Sequence, residues 1–357
     1  MTMWNLLDRL RTLCLLAIPL VAMSPVVATA AAVTLYLDPH GSDKANGGRP
    51  DQALRSLQKA LNIAYFRVKQ GADQVRIEIA PGRYVGQQVR IGRPPADAHF
   101  EIVARPSASS RPIFDGGGRR GTWFIMKAAD QNEARFTFSG LEVANYLTAM
   151  SFEGNRELVN TSQGNNVVQN MVFRNIGQAK SGEQPSTAAV RFVNSRHNVI
   201  RGNHFINIRN KRSCGLLHSI YLAHHSSDNR IENNTFKNTC GSPIRLRDAS
   251  NNNIATRNVF REAEFRAVFD EWYCNPERID KCTKKIPECP SWGNRYEANT
   301  VSDSDQRAIR EPTVVHIPEI PSTCDVQAGA ASSPAASGAS TATYRATNAK
   351  RERIIRK

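Results

Sequence analysis

The feature that most constrains this chain is a short signature that recurs along it. The pattern Asn-x-Phe begins at Asn203, Asn234 and Asn258, with spacings of 31 and 24 residues, and a looser copy ends at Phe173. A repeat of this size cannot bury an apolar face by itself, so successive copies stack into a solenoid with one continuous core. The strands of an antiparallel sandwich are the alternative, but their hairpins would not require the same signature each time the chain reverses direction.

A second short strand candidate lies upstream of each signature. These candidates cover 189–193, 219–223, 243–247 and 267–271, and an earlier one covers 150–153. Successive side chains of a strand point to opposite faces. Alternation sends one apolar set into the core: Val190, Phe192, Ile220, Leu222, Ile244 and Leu246. Their neighbours are therefore expected to form outward columns that run across the stacked strands.

The N-terminal region supplies further elements. An alternating strand covers 33–37, and Asp51 is expected to cap a helix whose apolar residues share one face: Ala53, Leu54, Leu57, Ala60, Leu61 and Ala64. An alternating strand at 75–79, a Pro81-Gly82 turn and a strand near 89–91 follow. As a set, these segments resemble the start of right-handed parallel β-helix proteins of the pectate-lyase-like superfamily. The resemblance implies an all-β, right-handed parallel β-helix (solenoid) with an N-terminal capping helix over about 33–305, and it implies fold rather than function.

The domain organisation follows from composition. Residues 1–30 are typical of a secretory signal, with Arg9 and Arg11 ahead of an apolar run that is too short for a membrane anchor. Residues 31–324 form the β-helix domain, with a cysteine-rich loop or cap near 272–292. Residues 325–357 are rich in Ala, Ser, Thr and Gly and end in a basic run, which predicts a disordered tail.

Six cysteines follow the signal segment: Cys214, Cys240, Cys274, Cys282, Cys289 and Cys324. An even number in a secreted chain indicates disulfides, whereas a zinc site is disfavoured because the chain has no CxxC pair. The overall connectivity stays open. Cys214 and Cys240 precede two adjacent strand candidates by similar distances, so this pair is a candidate to bridge neighbouring rungs. A periplasmic or secreted location follows.

The charge balance indicates the partner. The net charge is +15, which for a secreted protein favours a polyanion. The sequence contains no recognisable nucleic-acid module, so we expect no nucleic-acid partner and favour an acidic polysaccharide. A basic surface with no specific partner is the alternative. We also expect no stable membrane insertion, and a monomer.

Stacking in register would bring reactive side chains together on the outer face. One column then contains Ser151, Arg191, Tyr221, Arg245 and Phe269, and the next contains Glu153, Val193, Ala223, Arg247 and Glu271. Parallel strands lie ~4.8 Å apart, so Tyr221 would have an arginine on each side. Two guanidinium groups would favour an ionised phenol and offer forks suited to a carboxylate. His218 lies just before this strand, where alternation points it inward, and His224 and His225 lie just after it.

These groups suit β-elimination of a uronic-acid polymer. The reaction requires neutralisation of the carboxylate, a base for the α-proton and an acid for the departing oxygen. Arg245 and Arg191 are assigned to the carboxylate, His218 or Tyr221 to the base, and Tyr221 to the acid. Further substrate-binding candidates are Arg247, His224, His225 and Glu271. No dense Asp cluster stands out for calcium, so we expect no metal and no cofactor.

The segment HSIYLAHHSSDNRIENNTF resembles a rung of parallel β-helix polysaccharide lyases and alginate C5-epimerases. That resemblance implies that His218, Tyr221 and Arg245 act on a uronate. The DPHD motif of the epimerases is absent in context, since the similar run DPHG lies at 38–41 in the N-terminal strand. Other readings stay open: a uronate epimerase; a glycoside hydrolase, although Asp248, Asp270 and Glu271 lack the polygalacturonase pattern; or a binding protein without catalysis. Each candidate could instead have a purely structural role. The arginines, for example, could form a solvated charged face paired with Glu153, Asp248 or Glu271.

Overall fold

The computed structural model describes residues 32–106, 109–117, 121–128, 134–156, 163–178, 182, 184–262, 267–275, 282, 288–302, 309–310, 313–315 and 324. The predicted signal at 1–30 and the predicted tail at 325–357 lie outside these residues. The described chain coils through three long sheets, and consecutive turns add parallel strands to each sheet in sequence order. This arrangement confirms the predicted parallel β-helix.

The strands are numbered in chain order. Sheet 1 comprises β1 Ala32–Leu37, β2 Gln74–Ile79, β5 His99–Ala104, β8 Arg135–Ser139, β12 Val167–Gln169, β16 Val199–Arg201, β19 Arg230–Glu232, β22 Ile254–Thr256 and β25 Arg295–Glu297. Sheet 2 comprises β3 Gly82–Val85, β6 Pro112–Asp115, β9 Glu142–Ala144, β13 Val172–Ile176, β17 His204–Ile208, β20 Thr235–Thr239, β23 Val259–Arg261, β26 Thr300–Ser302 and the antiparallel β27 Ile309–Arg310. Sheet 3 comprises β4 Val89–Gly92, β7 Thr122–Lys127, β10 Thr148–Glu153, β14 Ala188–Val193, β18 His218–Ala223, β21 Ile244–Arg247, β24 Ala267–Trp272 and β28 Thr313–Val315. A short pair joins β11 Gln163–Gly164 to β15 Ser195–Arg196.

The helix α1 spans Leu57–Lys69 and covers the N-terminal end of the core, which confirms the predicted cap. Its buried face consists of Leu57, Ala60, Leu61 and Ala64. The predicted role of Asp51 is wrong. Asp51 lies in the 3-10 turn Pro50–Gln52, and extended backbone at Ala53 separates that turn from the helix. Ser56 is the N-cap instead, because its hydroxyl accepts a hydrogen bond from the Lys59 N–H.

Two side-chain columns explain the repeated Asn-x-Phe signature. The Phe173, Phe205, Phe236 and Phe260 rings stack with centroid distances of 4.9, 4.9 and 4.8 Å. The asparagine of the signature is buried, and its Oδ1 accepts the backbone N–H of the equivalent asparagine one rung earlier, as Asn258 does for Asn234 at 3.0 Å. The phenylalanines therefore fill the core while the asparagines satisfy turn backbone, as the repeat predicts.

The register of sheet 3 decides which side chains reach the outer face. Arg191 pairs with Tyr221 and Tyr221 pairs with Arg245, as predicted. At β24 the prediction is wrong by one residue, because Arg245 pairs with Asp270 and not with Phe269. Phe269 turns inward, where its ring lies 4.3 Å from that of Tyr296. The register of β24 against β28 shifts between Ala267 and Phe269, and the adjacent residues Val268 and Phe269 are both buried, so the alternation is reversed from Phe269 onward.

Three disulfides join the six cysteines: Cys214–Cys240, Cys274–Cys282 and Cys289–Cys324. The first bridges neighbouring rungs, as the sequence indicates, and the other two tie the cysteine-rich segment. No helix in the described part of the chain combines the length and apolar character needed to cross a bilayer.

Candidate active site

Tyr221 lies at the centre of a group of arginines on the outer face of sheet 3. Its strand neighbours in register are Arg191 on β14 and Arg245 on β21. A third arginine, Arg247, places Nη1 at 3.4 Å from the Tyr221 hydroxyl and donates a hydrogen bond to it. Tyr221 is half-buried, and its phenol oxygen lies beside a cationic donor that the column pattern alone does not reveal.

The flanking arginines each engage a carboxylate. Arg191 donates to Glu153 at 2.6 Å and to the Ser151 hydroxyl at 3.0 Å, and Arg245 lies 3.4 Å from Asp270. Burial alone would raise the pKa of Glu153, but the hydrogen bond from Ser151 and the charge of Arg191 hold it below its ordinary value. These pairs fix the guanidinium planes, and Arg191 Nη1 has no hydrogen-bond partner among the described residues.

Arg247 is held by a glutamate from the cysteine-rich segment. Its Nε and Nη2 donate to the two oxygens of Glu288 at 2.8 and 2.5 Å, a bidentate geometry. Burial lowers the pKa of Arg247, but the hydrogen bonds to Glu288 and Tyr221 and the charge of Glu288 outweigh it and raise the pKa overall. Arg247 is therefore a fixed cation beside Tyr221, and its predicted pairing alternative, Asp248, bonds to His224 instead.

Trp272 supports two of the arginines at once. The guanidinium carbons of Arg245 and Arg247 lie 5.1 and 4.6 Å from the centre of its ring. Such cation–π contacts restrict the orientation of a flexible arginine. The indole therefore orients the cationic groups on one side of Tyr221.

His218 lies against the same face, although alternation predicts that it points away. Its ring centroid is 5.4 Å from that of Tyr221, and its Nε2 is 3.4 Å from Arg245 Nη1. Nδ1 lies 2.7 Å from the Ser242 carbonyl oxygen, which can only accept, so Nδ1 carries the proton and Nε2 has the lone pair. His218 is the first residue of β18 and is buried there, with 3% of its surface exposed.

Burial lowers the pKa of His218 to about 3, with the charge of Arg245 acting in the same direction and the bond to Ser242 opposing it. The folded protein then binds fewer protons than the unfolded chain below about pH 6.5. We expect the neutral His218 side chain to contribute to the free energy of unfolding, with the full contribution present above pH 6.5. This contribution is lost as the pH falls toward 3, by up to about 1.4 kcal/mol per pH unit.

The check is urea unfolding of the wild type and of His218→Gln between pH 7 and pH 5. Other histidines titrate equally in both proteins, so the difference in their slopes isolates His218. Equal slopes would contradict a buried neutral imidazole at this position.

The remaining predicted site residues lie around the ends of β18, β21 and β24. His224 is buried, and its Nδ1 lies 2.7 Å from Asp248 Oδ2, while His225 is half-buried beside it. Burial lowers the pKa of His225. Glu271 does not lie on the outer face. It is buried and accepts hydrogen bonds from Asn294 and Tyr296, because of the register irregularity in β24.

Within the described part of the chain, one group could hold a metal ion: ligand atoms of His224, Asp248 and Glu288 lie within 4.8 Å of one another. The acceptor positions of Glu288 are already used by Arg247, by Arg156 and by the Cys274 N–H. Two guanidinium groups beside these oxygens oppose a third cation, so the group fits a hydrogen-bonded network better than a metal centre.

Three contributors to the site were not among the residues assigned to it from the sequence: Asp270, Trp272 and Glu288. A signal for Asp270 exists, because burying Phe269 against the phenylalanine column requires Asp270 to face outward. Trp272 then follows by alternation. Glu288 has no local signal, since it lies 41 residues beyond Arg247 and 132 beyond Arg156.

A depression adjoins the Glu153–Arg191 pair at the ends of β4, β7 and β10. Its volume is about 480 Å³, and its lining is mixed and includes charged groups: Gly92, Arg93, Lys127, Ala128, Glu153, Gly154, Asn155 and Arg156. This depression therefore borders the outer face of sheet 3 and offers further cations.

Comparison with known proteins gives only structural matches. No protein-family model matches the chain, and no curated protein sequence matches it. Among solved structures, the chain is similar to pectate lyase Pel9A, with 15% identity and a TM-score of 0.41 over 68% of this chain and 62% of that one. The chain thus spans about three fifths of that lyase.

Two further structures are similar to this chain. The Escherichia coli protein YbhC matches with 10% identity and a TM-score of 0.40 over 84% of this chain and 82% of its own. A rhamnogalacturonan lyase matches with 14% identity and a TM-score of 0.31 over 80% and 65%. The fold is established by the chain itself, which coils through three sheets of parallel strands. The protein is a parallel β-helix. Within this β-helix, the Tyr221 group occupies the outer face of sheet 3.

Proposed function

We propose that this β-helix protein is a polysaccharide lyase that cleaves an acidic, uronic-acid-containing polysaccharide by β-elimination. The observation that carries the proposal is the placement of Tyr221 between Arg191 and Arg245 in register, with Arg247 donating to its hydroxyl. Arginine forks match carboxylate geometry, and a phenol beside them can exchange a proton. The three disulfides are typical of a secreted or periplasmic protein, which is where such a polymer would be met.

In this proposal Arg191 and Arg245 bind the uronate carboxylate and stabilise the charge that develops when the adjacent α-proton leaves. The Tyr221 phenolate removes that proton, aided by the hydrogen bond from Arg247. A carbon–carbon double bond forms as the bond to the glycosidic oxygen breaks, and the Tyr221 phenol returns its proton to that oxygen. One side chain thus completes the proton transfer, and both atoms and charge balance.

His218 acts here as a positioning residue rather than as the base. A pKa of about 3 makes its Nε2 a weak proton acceptor near neutral pH, although the lone pair faces Arg245. Its bond to the Ser242 carbonyl fixes the ring against Tyr221 and Arg245. His218 would therefore set the position of the guanidinium that binds the carboxylate.

Hydrolysis is less well supported by this geometry. A glycosidase needs a protonated carboxyl as acid and a second carboxylate close to it. The carboxylates that contact the arginines of the site are Glu153, Asp270 and Glu288. Despite burial, the hydrogen bond from Ser151 and the charge of Arg191 hold the pKa of Glu153 below its ordinary value. Epimerisation begins with the same proton removal and remains the second candidate, because the groups needed for that step are the same.

The test is incubation of the purified protein with a panel of uronate polymers, following absorbance of the unsaturated product and chain length together. A lyase increases absorbance and shortens the chains. Shortening without absorbance would mean hydrolysis, and a changed sugar composition with neither would mean epimerisation. Binding without any chemical change would overturn the proposed catalysis.

A further inference from the structure

A second column of asparagines runs along the outside of sheet 2 and is distinct from the buried column of the repeat. We call it the amide track, and it consists of Asn145, Asn175, Asn207 and Asn238. Each side-chain nitrogen donates to the Oδ1 of the asparagine one rung earlier, at 3.2, 3.1 and 2.7 Å along the series, and Asn145 donates to Asp115. All four have positive φ, between 51° and 62°.

The sequence contains a signal for this track. The second asparagine follows the stacked phenylalanine by two positions, so the repeat is Asn-x-Phe-x-Asn at Asn203–Asn207 and Asn234–Asn238. Asparagine tolerates positive φ better than most residues, which accounts for its backbone position. That preference does not require the side chains to form a continuous hydrogen-bonded row of exposed and half-buried amides, which is the feature that bears on binding.

The track keeps unused hydrogen-bonding capacity. A primary amide has two N–H donors and two acceptor lone pairs, and the track uses one of each. Among the described residues, Asn175 and Asn207 therefore retain one donor and one acceptor per rung, and Asn175 is exposed. The rungs repeat every ~4.8 Å, so the track presents a regular series of paired donors and acceptors.

A groove of about 430 Å³ lies along the track. Its lining combines the amides with basic groups: Asn145, Asn175, Gly177, Gln178, Asn207, Arg209, Asn210 and Lys211. Arg209 donates to Asn238 at 3.0 Å, which places a cation at the end of the amide series. Lys211 is exposed. The groove thus offers hydroxyl-binding amides and positive charge together.

The groove is connected to the strands that carry the candidate active site. The Asn210 side chain donates to the Ser186 carbonyl at 2.8 Å, two residues before β14 begins. β14 carries Arg191, and β18 begins soon after the groove residue Lys211. A polymer that lies across the outer face of sheet 3 can therefore continue around this corner of the solenoid.

We infer that the amide track and its groove bind a second stretch of an acidic polysaccharide, away from the residue that reacts. The amides pair with sugar hydroxyls, and Arg209 and Lys211 attract the carboxylates. This inference rests on the proposed function for the identity of the polymer. It adds a site whose contribution grows with chain length, because only a long chain reaches both places.

The test is the double variant Asn175→Gly with Asn207→Gly, since glycine adopts positive φ without strain and removes only the amides. Losing two ligand hydrogen bonds is expected to weaken affinity for a long polyuronate by about tenfold. Turnover of short oligomers should stay unchanged. The matched control is Asn233→Gly with Asn252→Gly, because both residues are exposed at positive φ outside the groove.

Affinity is measured by electrophoresis through polymer-containing gels, with thermal unfolding recorded for each variant. Should the glycine pair unfold, Asn207→Asp keeps a residue that tolerates positive φ and should weaken binding by charge repulsion. Equal affinity of the wild type and of a folded track variant overturns this inference and leaves the proposed lyase intact. A wild type that binds none of the polymers overturns both.

Discussion

Tyr221→Phe is expected to lower turnover of a uronate polymer by about 10²–10⁴-fold, the range typical of a lost general acid or base. The substitution keeps the ring that packs near His218 and removes only the hydroxyl, whose contact with Arg247 is 3.4 Å. Unfolding free energy should therefore change by less than about 1 kcal/mol. The measurement is the initial rate of absorbance increase, together with a thermal unfolding curve.

The matched control is Tyr36→Phe, because Tyr36 is a half-buried strand tyrosine on sheet 1, away from the candidate active site. It should retain full turnover. If Tyr221→Phe also retained turnover, Tyr221 would have no part in the chemistry. The proton transfer would then have to be assigned to His218 or to a bound water.

Phe236→Ala is expected to produce the largest loss of stability among the simple substitutions. The ring is fully buried between Phe205 and Phe260, with centroid distances of 4.9 and 4.8 Å. Removing it leaves a cavity in the middle of the stack, which costs about 3–5 kcal/mol when the surroundings cannot collapse. Neighbouring rungs fix both flanking rings, so collapse is restricted.

The measurement is the denaturant midpoint and slope of unfolding for Phe236→Ala against Phe66→Ala. Phe66 lies on α1 with 57% of its surface exposed, so its replacement should change the free energy by no more than about 0.5 kcal/mol. Similar midpoints for the two variants would mean that the phenylalanine column does not hold the rungs together.

The active-site proposal and the amide track depend on the same property of the solenoid. Stacking at a constant interval turns a residue type repeated along the sequence into a row in space. In sheet 3 this places Tyr221 between two arginines, and in sheet 2 it joins the asparagines. The proposed polymer substrate suits such rows, since its own repeat can engage several rungs.

The sequence alone determined the solenoid, the capping helix, the columns of β10, β14, β18 and β21, and the Cys214–Cys240 bridge. These features are encoded locally: each turn of the chain carries the same Asn-x-Phe signature and the same alternation. Local periodicity is sufficient for them because each rung contacts only its neighbours.

Only the tertiary structure decided the remainder of the candidate site. Because of the irregularity in β24, Asp270 and not Phe269 lies on the outer face, and Glu271 is buried. Phe269 packs against Tyr296 in the core instead of following the alternation of the earlier strands. Glu288 reaches Arg247 from a segment with no repeat signal. Contacts of this kind depend on how distant segments fold together, so no local pattern could have specified which carboxylate holds the arginine beside Tyr221.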